Sequence, residues 1–188
     1  HSLRRRQRQM CIRDRSLTVI LGEIMDTFYT EGATKITTRI EQVLKLAKPL
    51  QLKLREWYHS LPPQLSMNKF VPRKFNPNAT LTLAYFAAEI TLHRKIISTL
   101  KQDTPKELVQ VCRTAAKTRL VAAIEFVRDL KSEHINAFWY TCSTGNLMLI
   151  AIFAALLYVT AQTRDEAVVV RDYHVSYTHL RAHETCAD

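Results

Sequence analysis

Glu89 and His93 stand four residues apart, the spacing that brings a carboxylate beside an imidazole across one helical turn. Such a pair can move protons when a third group and a substrate site complete it. Nothing in the sequence supplies either, so local pairing is the stronger reading. His59 and His134 are far from His93 along the chain, and each reads as a surface or helix-end residue rather than a metal ligand. No CxxC pair offers a zinc site, and no GxxxxGK[ST], GxGxxG, HExxH or GxSxG motif occurs. Cys112 and Cys142 lie among apolar neighbours, where a free thiol behaves as a small buried hydrophobe. The expectation is a chain that is not an enzyme, with no metal or cofactor of its own. A helical enzyme with a scattered site would instead gather titratable groups around a concave pocket.

The elements that hold these residues read as helices. A chain of 188 residues with 47% hydrophobic content fits one domain, and only three glycines argue against a sheet protein. The clearest segment is Leu81–Leu100, where Leu81, Ala84, Tyr85, Ala88, Leu92 and Ile96 fall at helical intervals along one face. His93, Arg94 and Lys95 cluster near its end, where cations suit the exposed carbonyls.

Upstream, Leu17, Ile20, Leu21, Ile24 and Phe28 make one amphipathic stripe, with Gly32 expected to end that helix. A second stripe runs through Ile36, Ile40, Val43, Leu44 and Ala47, is expected to kink or break at Pro49, and resumes at Leu50, Leu54, Trp57 and Leu61. Pro62 and Pro63 open a proline-rich connector over 62–77, with Leu65, Phe70, Val71 and Phe75 as anchors that hold it down. Asn78 is placed to cap the helix after it.

Thr104, Pro105 and Glu107 predict a capping box with proline at the first helical position. The helix they open carries Leu108, Cys112, Ala115, Ala122, Phe126 and Leu130 on one stripe, leaving Arg113, Lys117, Arg119 and Arg128 mostly off it. Lys131–Glu133 predicts a corner. The fold class is therefore all-α, an irregular bundle of about five to six helices.

The last apolar segment, Asn146–Ala161, spans roughly 24 Å as a helix, short of the roughly 20 apolar residues that a bilayer asks for. Extending it back to Phe138 supplies the length but brings in Thr141, Ser143, Thr144, Gly145 and Asn146. A small membrane-associated protein with one span at about 138–161 is the alternative. The favoured reading is a helix buried at the centre of the bundle, with no membrane partner.

The two ends look unlike the rest. HSLRRRQRQMCIRDR at the start and VSYTHLRAHETCAD at the finish resemble translated sequencing-adapter sequence, so 1–15 and 175–188 are expected to be non-native tails around a 16–174 domain. The first holds six arginines and one aspartate, the second one arginine and two acids; without them the formal charge falls from +10 to +6. That leaves no basic stripe of the kind nucleic-acid binding needs.

Leu81, Leu83, Tyr85 and Leu92-His93-Arg94 are similar to a Leu-x-Leu-x-Tyr run leading to Leu-His-Arg in the regulatory, or middle homology, domain of fungal binuclear zinc-cluster transcription factors. Cys112 with Ala115-Ala116-Lys117, the Trp57–Leu65 element and the aromatic-then-apolar run Ala137–Ala161 follow in the same order, so the likeness covers about 35–165. Within that group the chain resembles activators of nitrogen-source use. One departure is Lys95, where the family commonly has proline; the helix can then run on.

The resemblance implies a nuclear regulatory segment of a protein controlling RNA polymerase II transcription. It implies DNA contact only through a six-cysteine zinc module missing from this chain, with zinc confined to that module. It also implies a homodimer or co-activator protein as partner, and a small-molecule inducer. Trp139, Tyr140, Phe153 and Tyr158 are then the candidates to line an inducer cavity. Tyr85, Leu92, His93 and Arg94 form the structural motif, with His93 and Arg94 anchoring the helix end by bonding nearby carbonyls.

Overall fold

The computed structural model describes residues 2–67, 78–137, 139 and 141–185, with side chains placed outside 2–6 and 178–185. Eight helices succeed one another there: α1 (Ser2–Phe28), α2 (Glu31–Ile36), α3 (Ile40–His59), α4 (Asn78–Thr99), α5 (Lys106–Arg128), α6 (Ser132–Ile135), α7 (Cys142–Val159) and α8 (Arg164–Thr185). The all-α bundle expected from sequence is what forms. The helices beyond the expected number are the short pieces α2 and α6 and the C-terminal α8.

The stripes of α1 and α3 pack as their spacing predicts. Leu17, Ile20, Ile24 and Phe28 are buried on α1, and Ile40, Val43, Ala47, Leu50, Leu54 and Trp57 on α3. Pro49 neither breaks nor ends α3, which runs through it. Lys45 and Pro49 both lie on the exposed side, so the carbonyl that loses its amide partner there can turn to water. Gly32 lies inside α2; the stop before it is Thr30, whose hydroxyl accepts from Ala33 N at 3.2 Å and caps α2. Ile36 is left exposed.

Two helices exchange the places expected of them. α4 was to present one apolar face, yet seventeen of its 22 residues are buried, and it packs against α1, α3, α5 and α7. Its threonines explain this. Thr82, Thr91 and Thr99 bond their hydroxyls to the carbonyls of Asn78, Ala87 and Lys95, at 3.1, 2.8 and 2.7 Å. Each hydroxyl is satisfied within its own helix, so positions that count as polar in a periodicity can face the core. α7, expected at the centre, lies to one side. Ile150, Phe153, Ala154 and Leu157 are buried, while Met148, Ile152 and Val159 are exposed. A helix apolar on every side carries no mark of which face the bundle will cover.

The connector is anchored at Leu65, which is fully buried; Phe70, Val71 and Phe75 lie outside the described residues. Asn78 opens α4, where it is buried. Its side-chain amide donates to the carbonyls of Gln64 and Ser66, at 3.0 and 3.4 Å, and so ties the connector to the helix start. The predicted capping box on α5 is not made. Thr104 Oγ1 accepts from Lys101 N inside the turn, and Pro105 stands at the cap position without a side-chain bond. Cys142, expected buried, is exposed at the start of α7, whereas Cys112 is buried.

The regions expected as tails continue their neighbouring helices. α1 runs unbroken across Arg15–Ser16 and α8 across His174–Val175. Trp57 Nε1 donates to Ser16 Oγ at 2.9 Å and to Arg13 O at 3.1 Å. Tyr177 is buried and its hydroxyl donates to Leu147 O at 2.7 Å.

Candidate functional site

Tyr85, Glu89 and His93 recur every four residues on α4 and so form one stripe along it. That stripe is the floor of an open cleft of about 770 Å³, walled by α3 on one side and α5 on the other. Lys48 and Arg55 come from α3, and Arg119 from α5. The sequence reading expected no convergence of charged groups; the helix crossing produces one.

Glu89 does not pair with His93. It sits at 3.4 Å, through both carboxylate oxygens, from Arg119 Nη1, with the Glu89 side chain 12% exposed. Its charge also acts on Tyr85. Burial first, then the charge of Glu89 and a hydrogen bond to it, push the Tyr85 hydroxyl far above the ordinary phenol range. Tyr85 is thus a fixed donor, held in a ladder of rings. Tyr58 stacks on it with centroids 4.6 Å apart, Trp57 at 5.7 Å, and Phe86 continues to Phe126 at 5.4 Å.

His93 is not at a frayed helix end bonding carbonyls. It is 7% exposed, and its Nδ1 has no hydrogen-bond partner. Burial, reinforced by the nearby Arg119 charge, lowers its pKa to about 4, so the ring is neutral at pH 7. Leu92 is a core residue, and Arg94 is half-buried on the side from which its charge reaches Tyr29.

Three of the aromatic candidates, Trp139, Phe153 and Tyr158, are among the described residues. Phe153 is wholly buried in the core. Trp139 spends its indole N–H on the carbonyls of His134 and Ile135. Tyr158 is 45% exposed on α7, and Tyr140 lies outside the described residues. Among the described residues, Trp139, Phe153 and Tyr158 stand outside the lining of the α3/α4/α5 cleft.

A second polar cluster joins α5 to the last two helices. Arg113 is buried; its Nε meets Glu166 at 2.6 Å, Nη1 meets Thr160 Oγ1 at 3.0 Å and Nη2 meets Leu157 O at 2.9 Å. Sequence reading put Arg113 off the buried stripe. The buried residues of α5 are Cys112, Arg113, Ala116, Leu120, Ala123, Ile124 and Val127; of the expected stripe Cys112 is buried, Leu108, Ala122, Phe126 and Leu130 are partly buried against the core, and Ala115 is exposed. An arginine in register with Ala116, Leu120 and Val127 was the available signal. Among the described residues, no group of three or more His, Cys, Asp or Glu side chains could hold a metal.

The cleft thus offers cations, one compensated carboxylate, aromatic faces and a neutral imidazole, but no activated nucleophile. It is equipped to bind. Comparison with known proteins places the chain beside transcriptional regulators of budding yeast. It is 75% identical over 163 residues to the transcriptional activator protein DAL81 of Saccharomyces cerevisiae, covering 87% of this chain and 17% of that protein. It is also 26% identical over 166 residues to Activator of stress genes 1 of the same organism, covering 84% of this chain and 16% of the relative. The chain therefore spans about a sixth of the length of the curated relatives it matches. The likeness to fungal transcription factors drawn from Tyr85 and Leu92-His93-Arg94 agrees with both. No family model matches the chain, and no solved structure does.

Proposed function

We infer that this chain is a helical regulatory segment of a fungal transcriptional activator, working in the nucleus and without catalytic activity of its own. The observation that carries this reading is the 75% identity to a yeast activator over most of the chain. In this reading DNA is met by a zinc-cluster module elsewhere in the whole protein, and zinc belongs to that module alone. The helical segment responds to a small inducer or a protein partner by shifting between two packings. Exchanging the matching segment of the yeast activator for this chain tests it. Reporter transcription in cells lacking the native activator should be retained within about twofold; a stable, nuclear but silent exchange sinks the reading.

A second reading is kept by one observation. Cys142–Val159 is long and apolar enough to cross a membrane, and only 28% of it is buried in the bundle. Alkaline washing separates the two: a spanning helix stays in the membrane pellet, a bundle helix is released.

A further inference from the structure

Lys48 and Arg55 stand on the α3 wall of the cleft without an ion pair among the described residues, whereas Arg119 opposite them is compensated by Glu89. Apolar and aromatic surface from Leu52, Tyr58 and Phe86 fills the space between. His93 lines the same space, is buried, and keeps a ring nitrogen without a partner. A polar atom left unpaired in a buried place is a standing cost, which an occupant could relieve only if the ring turned toward the cleft. The volume of about 770 Å³ is of the size that small-molecule sites have, roughly 300–1,000 Å³.

We propose that this cleft binds a small organic carboxylate, its charge at Lys48 and Arg55, its apolar body against Tyr58 and Leu52, and a hydrogen-bonding group at His93. This deepens the regulatory reading above and depends on it only for what binding accomplishes.

The charges select the ligand class. Two uncompensated cations suit one negative group, and Glu89, at the same floor, repels a polyanion such as a phosphate ester. The carboxylate and the imidazole belong to different ends of the ligand. Burial and Arg119 keep His93 uncharged at neutral pH, so the ring meets a hydroxyl or amide better than a second charge. The other titratable groups lining the space are Tyr58, His59 and Tyr85.

The test titrates the full chain with benzoate, 4-hydroxybenzoate and the neutral 4-hydroxybenzamide, read by calorimetry and by NMR shifts. Both acids should saturate a single site, with 4-hydroxybenzoate the tighter. The amide should bind about tenfold more weakly, since it loses the charge-assisted bonds. Lys48→Gln with Arg55→Gln, both at exposed positions, should weaken the acids about tenfold without changing the melting temperature. Glu89→Gln should tighten them severalfold by removing repulsion and releasing Arg119.

No saturation by either acid at about 20 mM overturns the proposal. So does equal binding of the amide, or unchanged binding by the folded double variant. Acids that bind while the exchanged activator is silent retain the site and remove the regulatory reading. An active exchange in a chain that binds neither acid does the reverse.

Discussion

Arg113 and Glu166, 53 residues apart, meet at 2.6 Å with the arginine side chain 3% exposed and the glutamate 22%. Because Arg113 also holds Thr160 and the Leu157 carbonyl, one side chain fastens the end of α7 and the start of α8 to α5. Glu166 returns a bond of its own, accepting from Gln162 N at 2.9 Å.

Removing either partner strands the other. Glu166→Ala leaves an always-charged guanidinium buried and is expected to cost about 3 kcal/mol. Arg113→Met removes the charge but frees three acceptors, on Glu166, Thr160 and Leu157, and is expected to cost less because Glu166 is partly exposed. Urea unfolding of both singles and the double should give a coupling of about 1–3 kcal/mol. Additive losses would show that the contact carries no energy of its own.

Acidity acts through His93. Its folded pKa of about 4 lies below the unfolded value of 6.5, so the unfolded chain takes up the proton first. Stability is therefore full above about pH 6.5, declines as pH falls toward about 4, and levels off below it, a loss of at most about 3 kcal/mol. His134, also lowered by burial, acts in the same direction. Denaturant melts between pH 7 and pH 4 measure the slope, and His93→Gln should remove most of it. A variant that keeps the full slope assigns it elsewhere.

Tyr177 decides whether the final stretch is part of the fold. Its side chain is buried, and its hydroxyl donates to Leu147 O. Tyr177→Phe should cost about 1 kcal/mol for the lost bond and Tyr177→Ala about 3 kcal/mol or more for the cavity. Thermal melts that leave both variants unchanged would mark 175–188 as an appendage.

The outer side of α7 should govern association. Met148, Ile152 and Val159 are 54, 46 and 74% exposed, a contiguous apolar surface of the kind that seeks a cover. Ile152→Glu with Val159→Lys should shift sedimentation toward monomer while changing stability by no more than about 0.5 kcal/mol. An unchanged distribution removes this face as the cause.

The stripes on α1 and α3 were legible because their polar positions face water, so hydrophobic spacing and burial coincide. α4 was legible as a helix but not as the centre, since Thr82, Thr91 and Thr99 look polar in a sequence while their hydroxyls are already bonded. On α5 the buried side is wider than the apolar stripe, because Arg113 reads as a surface cation in the sequence and is buried by its bonds to α7 and α8. Of the site, the Tyr85–Glu89–His93 stripe was present in the spacing, whereas Lys48, Arg55 and Arg119 come from other helices, and only the crossing of α3 and α5 over α4 brings them near.

The placement of α4 has a mechanical consequence. With α1, α3, α5 and α7 all resting on it, it behaves as an axle: a slight roll of its Glu89–His93 side must be taken up by four neighbours at once. An event confined to one wall can then be felt at the far rim, where α7 and α8 meet, without any long relay of intermediate side chains.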